Sequence, residues 1–252
     1  MNRILVIPAA GLGSRLGAAV PKLLVPVAGV PMVDRLARLY EPYVGRIVLI
    51  AHPSFATRLR HHVEPWRLPV DVAVQERPTG MLDALLLGAD AVRSSNSDEV
   101  WITWCDQVGV HPATIRRLSH ALGDDPDVAL ALPTVASETP YIHFARDPAG
   151  RIIDVRHRRE GDAMPAAGES DMGLFALTRG AYLDDLPGYA QRPAIGRVTG
   201  ERNFLPFIPW LAARRHVLTF PAVDEMEAVG VNTPDDLARI ERYLAARTDS
   251  SS

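Results

Sequence analysis

Several residue types are scarce in this chain, and each scarcity excludes something. Among 252 residues there is one cysteine, Cys105. A single thiol closes no intramolecular disulfide and builds no cysteine zinc site, and it fits a reducing compartment. There is also one lysine, Lys22, among 27 cationic residues. The chain uses arginine wherever a generic positive charge serves, so the one compact ammonium marks its position. Cationic excess is absent: 27 Lys and Arg face 30 Asp and Glu, for a net charge of −3. With no like-charge block either, nothing draws the chain toward nucleic acid. No run reaches the roughly 18 apolar residues of a membrane helix. The opening Met1-Asn2-Arg3 leads into an apolar run that breaks at Pro8, unlike a signal peptide. No membrane partner is expected, and the expected address is cytoplasmic.

What is present reads as a globular α/β protein. Apolar residues make up 47% and charged residues 23%, and the length supports a sizeable core. Short Val- and Ile-rich runs predict strands at 3–9, 46–51, 70–75, 99–105, 128–133, 151–155, 173–177 and 217–220. Helical periodicity predicts helices at 32–41, 54–62, 81–93, 112–122, 204–214 and 234–247. The first five strands alternate with helices. That order predicts a Rossmann-like, mostly parallel twisted sheet with helices on both faces. Ligands then bind beyond the carboxyl ends of the strands. After about residue 134, prolines and glycines punctuate shorter strands, which predicts a β insertion over one sheet edge. We expect one domain, 1–247, with a nucleotide-binding half at 1–110 and an acceptor half at 111–247. Residues 248–252 are expected to form a disordered tail.

The densest motif runs from Pro8 to Lys22, PAAGLGSRLGAAVPK. A buried strand enters small residues, and then come Gly11, Gly13, Ser14 and Arg15. Glycines let backbone N–H groups turn toward a ligand, successive N–H groups cradle an anion, and Arg15 and Lys22 add full charges. This chemistry suits a triphosphate. A Walker A loop fails, because Lys22 lies between Pro21 and Leu23. A dinucleotide fingerprint fails too: the third glycine is displaced to Gly17, and His52 stands where an acid belongs.

GxGSR, followed by PK and then LLVPVAGVPM, resembles the signature of the sugar-1-phosphate nucleotidyltransferase (nucleotide-sugar pyrophosphorylase) family. The point of comparison is the uridylyltransferase domain of bacterial N-acetylglucosamine-1-phosphate uridylyltransferases. The resemblance implies the nucleotide-diphospho-sugar transferase fold. It also implies nucleotide contacts from Ala10, Gly11, Gly13, Ser14, Gln75, Thr79 and Gly80, the last three within QERPTGM. An amide such as Gln75 can both donate to and accept from a base edge. Asp106, which ends the run VWITWC, matches the family's magnesium aspartate. Asn232, in GVNTPDD, matches the second metal ligand, and it or Thr233 also reads as a cap for the helix at Pro234. One Asp and one neutral amide suit Mg²⁺, which takes its other oxygens from water and phosphate. Cys105 reads as a core residue, since alternation points it away from the Asp106 face.

The acceptor half departs from the family pattern. Tyr141 is followed by Ile142 rather than Gly. Arg156 replaces a carboxylate, and Asp171-Met172-Gly173 replaces an Asn before Gly. With Glu201, these residues are the expected acceptor contacts, and the exchange to Arg156 favours an anionic acceptor or an extra phosphate contact. Phe204, Phe207 and Trp210 read as core at helical spacing, and no histidine is given a role. The expected partners are an NTP and a small phosphorylated acceptor. In the expected reaction the acceptor phosphate attacks the α-phosphorus. Arg15, Lys22 and Asp106 serve catalysis, and Mg²⁺ sits on Asp106 and Asn232. Three rivals remain: an inactive nucleotide-binding regulatory module, a molybdopterin-type or other small-molecule nucleotidyltransferase, and a metal-dependent glycosyltransferase. The last would usually show a DxD pair, where this chain has Asp106-Gln107-Val108. No hexapeptide repeats are present, so the acetyltransferase β-helix of some relatives is not expected.

Overall fold

A computed structural model describes all residues except 1, 12, 18–19, 124, 193–194 and 250–252. The main sheet is built around β1 (Arg3–Ala9), whose residues alternate strictly between two cores. Leu5, Ile7 and Ala9 face one side with Ile47, Leu49 and Ala51 of β4 (Arg46–Ala51). Ile4 and Val6 face the other with Val48 and Ile50. Both faces are dry, as a helix-covered parallel sheet requires. Each buried Ile, Leu or Val contributes roughly 1.5–3 kcal/mol.

Between these strands lies a two-residue hairpin, β2 (Pro26–Val27) and β3 (Val30–Pro31). Periodicity cannot show so short a pair, and its turn is unusual: both Ala28 (φ 46°) and Gly29 (φ 74°) are left-handed. That is the twist a tight hairpin needs, and the Ala28 N–H is held by Glu241 Oε1 at 2.7 Å. Helix α1 (Met32–Tyr40) buries Met32, Val33, Leu36 and Tyr40 on one stripe. Helix α2 (Pro53–Val63) is capped by the His52 ring, which accepts from the Ser54 N–H at 3.1 Å.

Next come β5 (Val70–Val74), α3 (Met81–Leu86), α4 (Ala89–Ser94), β6 (Glu99–Thr103) and α5 (Pro112–Ala121). The single helix expected over 81–93 is thus two. The Tyr182 hydroxyl donates to the Leu85 carbonyl, taking an acceptor the continuing helix would use. It lies 2.7 Å from where a Gly88 Cβ would stand, so only glycine fits the junction.

The second half contributes β7 (Val128–Ser137), β8 (Ile142–Arg146), β9 (Ile152–His157), β10 (Gly168–Asp171) and β11 (Leu174–Thr178). A π-helical turn at Ala181–Asp185 leads into α6 (Leu186–Ala190). The chain closes with α7 (Phe207–Ala212), β12 (His216–Pro221) and α8 (Pro234–Asp249). α7 is shorter than the expected 204–214, since residues 204–206 make only i to i+3 turns before it. α8 runs on to Asp249, so the expected tail is helical at Thr248 and Asp249, and its remainder, 250–252, lies outside the described residues.

The sheet order is β10-β7-β11-β6-β1-β4-β5, with β12 paired to β7. β6, β1, β4 and β5 are parallel neighbours, and β12 is parallel to β7. β11 runs antiparallel to both β6 and β7, and β10 is antiparallel to β7. The sheet is therefore mostly parallel, with β10 and β11 reversed. β8 and β9 form a separate antiparallel ladder that packs against β10 and α7, which is the expected insertion. Register aligns Ala9 with Ala51 and Ala51 with Val74. The carboxyl ends of β1, β4 and β5 thus open on one edge.

Candidate active site

A cleft of about 1930 Å³ lies along that edge. It is lined from residues 1–110 by Ala10, Gly11, Gly13, Arg15, Lys22, Gln75, Gly80 and Asp106. From residues 111–247 come Tyr141, Asp171, Glu201 and Asn232. Residues expected from distant parts of the sequence therefore share one cavity.

Its focus is a set of charges beyond β1 and β6. Lys22 Nζ lies 2.6 Å from Asp106 Oδ2 and 2.8 Å from Asn232 Oδ1. Arg15 Nη2 reaches the same Asn232 oxygen at 3.2 Å. The Lys22 and Asp106 side chains are only 11% and 14% exposed, so this pair is shielded far more than a surface salt bridge.

Two glycines permit the approach. Gly13 is left-handed (φ 65°), and a Cβ there would stand 2.8 Å from Lys22 Cβ. At Gly230, a Cβ would stand 3.0 Å from the Asp106 carboxylate. The Asp106 and Asn232 loops are also tied directly, since the Val231 N–H donates to the Asp106 carbonyl at 3.1 Å. The Asn232 amide is oriented by its Nδ2, which donates to the Gly230 carbonyl at 3.2 Å. Thr233, not Asn232, caps α8: its Oγ1 accepts from the Asp236 N–H at 3.1 Å, while Asp236 Oδ2 accepts from the Thr233 N–H at 2.9 Å. The reciprocal cap leaves the Asn232 oxygen free to face the cleft.

Behind this site sits a residue that sequence reading missed. Glu227 is fully buried and accepts from Thr114 Oγ1 (2.9 Å) and from the N–H groups of His111 (2.8 Å), Val223 (2.8 Å) and Asp224 (2.9 Å). It ties the segment leading to Asn232 onto α5. The only sequence signal was the capping-box spacing Asp224 to Glu227. Cys105 is half-buried and packs against the core, but it also lines the cleft beside Asp106 rather than pointing away from it, since the strand and its alternation end at Thr103. Burial pushes its thiol up to about 12 against the pull of Lys22, which disfavours the thiolate.

On the nucleotide side, Gln75 Nε2 donates to the Gly80 carbonyl at 3.0 Å and closes the loop. Gly80 (φ 122°) has a structural reason to be glycine, because a Cβ would stand 2.4 Å from the Arg202 backbone nitrogen. Thr79 serves that crossing through its backbone, accepting from the Arg202 N–H at 2.8 Å, and does not line the cleft. Ser14 opens a 3-10 turn that carries Arg15.

At the acceptor end, Tyr141 packs edge-on against His157. Asp171 is buried, and burial pushes its carboxyl up to about 6 despite hydrogen bonds from the Gly173 N–H and the Trp104 indole. Arg156, like Thr79, is a predicted site residue that does not line the cleft. On β9 its Nη1 donates to the Ala163 carbonyl at 3.3 Å, and its Nε lies 3.9 Å from Asp154. Its neighbours His157 and Arg159 line the cleft instead. Arg159 grips Glu201 through two bonds of 3.0 and 3.1 Å, so the cation at this wall is already neutralised. Arg156 thus lies away from the place where the expectation of an anionic acceptor or an extra phosphate contact put it.

Sheet topology, a glycine loop after the first strand, and a lysine–aspartate–asparagine cluster at the carboxyl edge define a nucleotidyltransferase of the nucleotide-diphospho-sugar transferase fold. Comparison with known proteins agrees. Residues 5–172 match the family model of the MobA-like NTP transferase domain, and the chain belongs to that family. It is 32% identical over 254 residues to the bifunctional protein GlmU of Azotobacter vinelandii, covering 98% of this chain and 53% of that protein. It is 30% identical over 252 residues to the bifunctional protein GlmU of Pseudomonas putida, covering 98% and 52%. The chain thus spans about half the length of these relatives. None of the described helices is long and apolar enough to cross a membrane.

Proposed function

We propose that this chain transfers a nucleotidyl group from an NTP to the phosphate of a small phosphorylated acceptor, a sugar 1-phosphate or a sugar-like phosphate, releasing pyrophosphate. The observation that carries this reading is the convergence of Lys22, Asp106 and Asn232 on one point, beside an anion-cradling loop and inside a cleft with room for two substrates. An acceptor phosphate oxygen forms a bond to the α-phosphorus. The α–β bridging bond breaks, and its electron pair leaves with pyrophosphate. A phosphate monoester is largely ionised near neutral pH, so no general base is required. The protein's task is positioning and charge neutralisation. Lys22 brings its ammonium to the phosphates at the reacting centre. Arg15 and the N–H groups around Gly11 and Gly13 hold the departing phosphates.

Asp106 and Asn232 fit Mg²⁺. A carboxylate oxygen and an amide oxygen already converge on a single cation, the Lys22 ammonium. Among the described residues no cluster of three or more His, Cys, Asp or Glu could hold a metal, which suits an ion completed by water and phosphate oxygens. When bound, the ion supplies charge neutralisation at the phosphates. Intact Lys22, Asp106 and Asn232 disfavour an inactive binding module. The test is a pyrophosphate-release screen that crosses the common NTPs with sugar, cyclitol and small-alcohol phosphates, with and without EDTA. The reading requires pyrophosphate that depends on NTP, acceptor and divalent cation together; its absence in every pairing overturns it.

A further inference from the structure

One wall of the cleft carries a construction that nucleotidyl transfer itself does not explain. Arg159 and Glu201 come from segments 42 residues apart and meet side by side at 3.0 and 3.1 Å. Both line the cleft, and their side chains are 50% and 31% exposed. So exposed a pair adds little to stability. Yet its placement is fixed with care, through the residue next to Arg159.

Glu160 is 7% exposed, and its carboxylate accepts four hydrogen bonds from 198–203, the segment that carries Glu201. Thr199 Oγ1 (2.5 Å) and Asn203 Nδ2 (3.1 Å) reach Oε1; the N–H groups of Val198 (2.9 Å) and Thr199 (3.3 Å) reach Oε2. Thr199 Oγ1 in turn accepts from the Glu201 N–H at 3.1 Å. Gly196 leaves room for the knot, since a Cβ there would stand 2.4 Å from Glu160 Oε1. Burial opposes ionisation of Glu160, but these donors outweigh it and hold the carboxyl at about 2. The knot is therefore charged and intact in neutral solution.

We propose that Arg159 and Glu201 act together as the specificity-determining pair for the acceptor, reading adjacent hydroxyl groups, and that Glu160 is the positioning residue that sets them in the cleft. The inference rests on the nucleotidyltransferase reading and adds the acceptor's chemistry. A guanidinium offers five N–H donors, and a carboxylate about four lone-pair sites, so a paired fork keeps both functions to spare. A hydroxyl donates and accepts at once. Two neighbouring hydroxyls can bridge the pair, one on each partner, without unpairing either charge. A bare alkyl phosphate makes no such contact, and a second anion in place of the hydroxyls would face Glu201.

The test is calorimetric titration of the whole chain, with Mg²⁺ and α,β-methylene analogues of the four common NTPs present. The probes are a panel of hexose 1-phosphates and ethyl phosphate. The wild type should bind at least one hexose 1-phosphate at least about 10-fold more tightly than ethyl phosphate, the scale set by a site built for hydroxyls. Arg159→Ala and Glu201→Ala should bring that ratio close to one and leave NTP-analogue binding unchanged. Arg159→Lys should not restore it, since a point charge cannot hold the fork. Thr199→Val and Glu160→Gln should shrink the ratio while the protein stays folded by circular dichroism; a purely structural role would lower the melting temperature and leave the ratio alone. No preference in the wild type, or an unchanged ratio in Arg159→Ala and Glu201→Ala, overturns the proposal. Pyrophosphate release measured in parallel judges the nucleotidyl-transfer reading separately.

Discussion

The two halves of the molecule build their sides of the cleft by different means. In residues 1–110, Gln75 and Asp106 sit just beyond the ends of parallel strands, Arg15 and Lys22 sit in the loop that follows β1, and Gly13 and Gly80, which have no room for a Cβ, set the close approaches. In the acceptor half the walls are loops and a separate β ladder, and buried carboxylates hold them: Glu227 behind Asn232, and Glu160 behind Arg159 and Glu201. A sheet edge is a rigid platform that can serve any member of a fold. A loop wall pinned by side-chain hydrogen bonds can be rebuilt by a few substitutions, so it is where acceptor choice can change without disturbing the chemistry.

The sharpest way to break this contrast is at the charge cluster. Lys22→Ala and Asp106→Ala should each lower kcat by at least about 100-fold, the scale of losing one electrostatic stabiliser. Pyrophosphate release at saturating substrates measures it, and near-wild-type turnover would remove the nucleotide half from the chemistry. Gly80→Ala tests the glycine spacing. Its backbone conformation alone costs a side chain of order 1–3 kcal/mol, and the overlap with the Arg202 backbone adds to that. A fall in melting temperature of roughly 2–4 °C per kcal/mol is expected. A melting curve matching wild type would show that the crossing relaxes.

Acid separates the carboxylates of the acceptor half. Asp171 is raised to about 6 from 3.8, so the folded protein holds a proton that the unfolded chain releases. Its contribution is present below about 3.8 and is lost as pH rises through 6. Glu160 is lowered from 4.5 to about 2, so its contribution is present above 4.5 and is lost as pH falls toward 2. Relative to wild type, Asp171→Asn should gain stability as pH rises from 4 to 7. Glu160→Gln should lose less than wild type on acidification below 4.5. Melting temperature against pH reads both, and parallel curves for all three proteins would contradict these environments. The smallest effect belongs to Arg156→Ala. A side chain on the outer face of β9 should change the acceptor KM by no more than about twofold, the range of ordinary surface substitutions. A larger change would return Arg156 to the acceptor wall.

Much of the nucleotide half was legible in the residues. The ranges expected for β1 and β4 match those observed, because an apolar run bounded by turn residues has few alternatives. Lys22 stood out by its rarity, and Asp106 by its place after an apolar strand. The acceptor half was less legible. β8 and β10 went unrecognised, since short edge and ladder strands mix polar with apolar residues. Arg156 was chosen from the run Arg156-His157-Arg158-Arg159 because it aligned with a family position, but the way the insertion lies against the cleft presents Arg159.

By itself, the sequence determined the parallel strands of the sheet, their two buried faces and the glycine-rich loop after β1. Those features depend on residue type and on spacing between neighbours along the chain. Only the tertiary structure decided which distant groups meet: Asn232 with Lys22 across 210 residues, Glu227 with Thr114, and Arg159 rather than Arg156 with Glu201. Such pairings depend on how the chain returns to the sheet edge, and no local pattern carries that information.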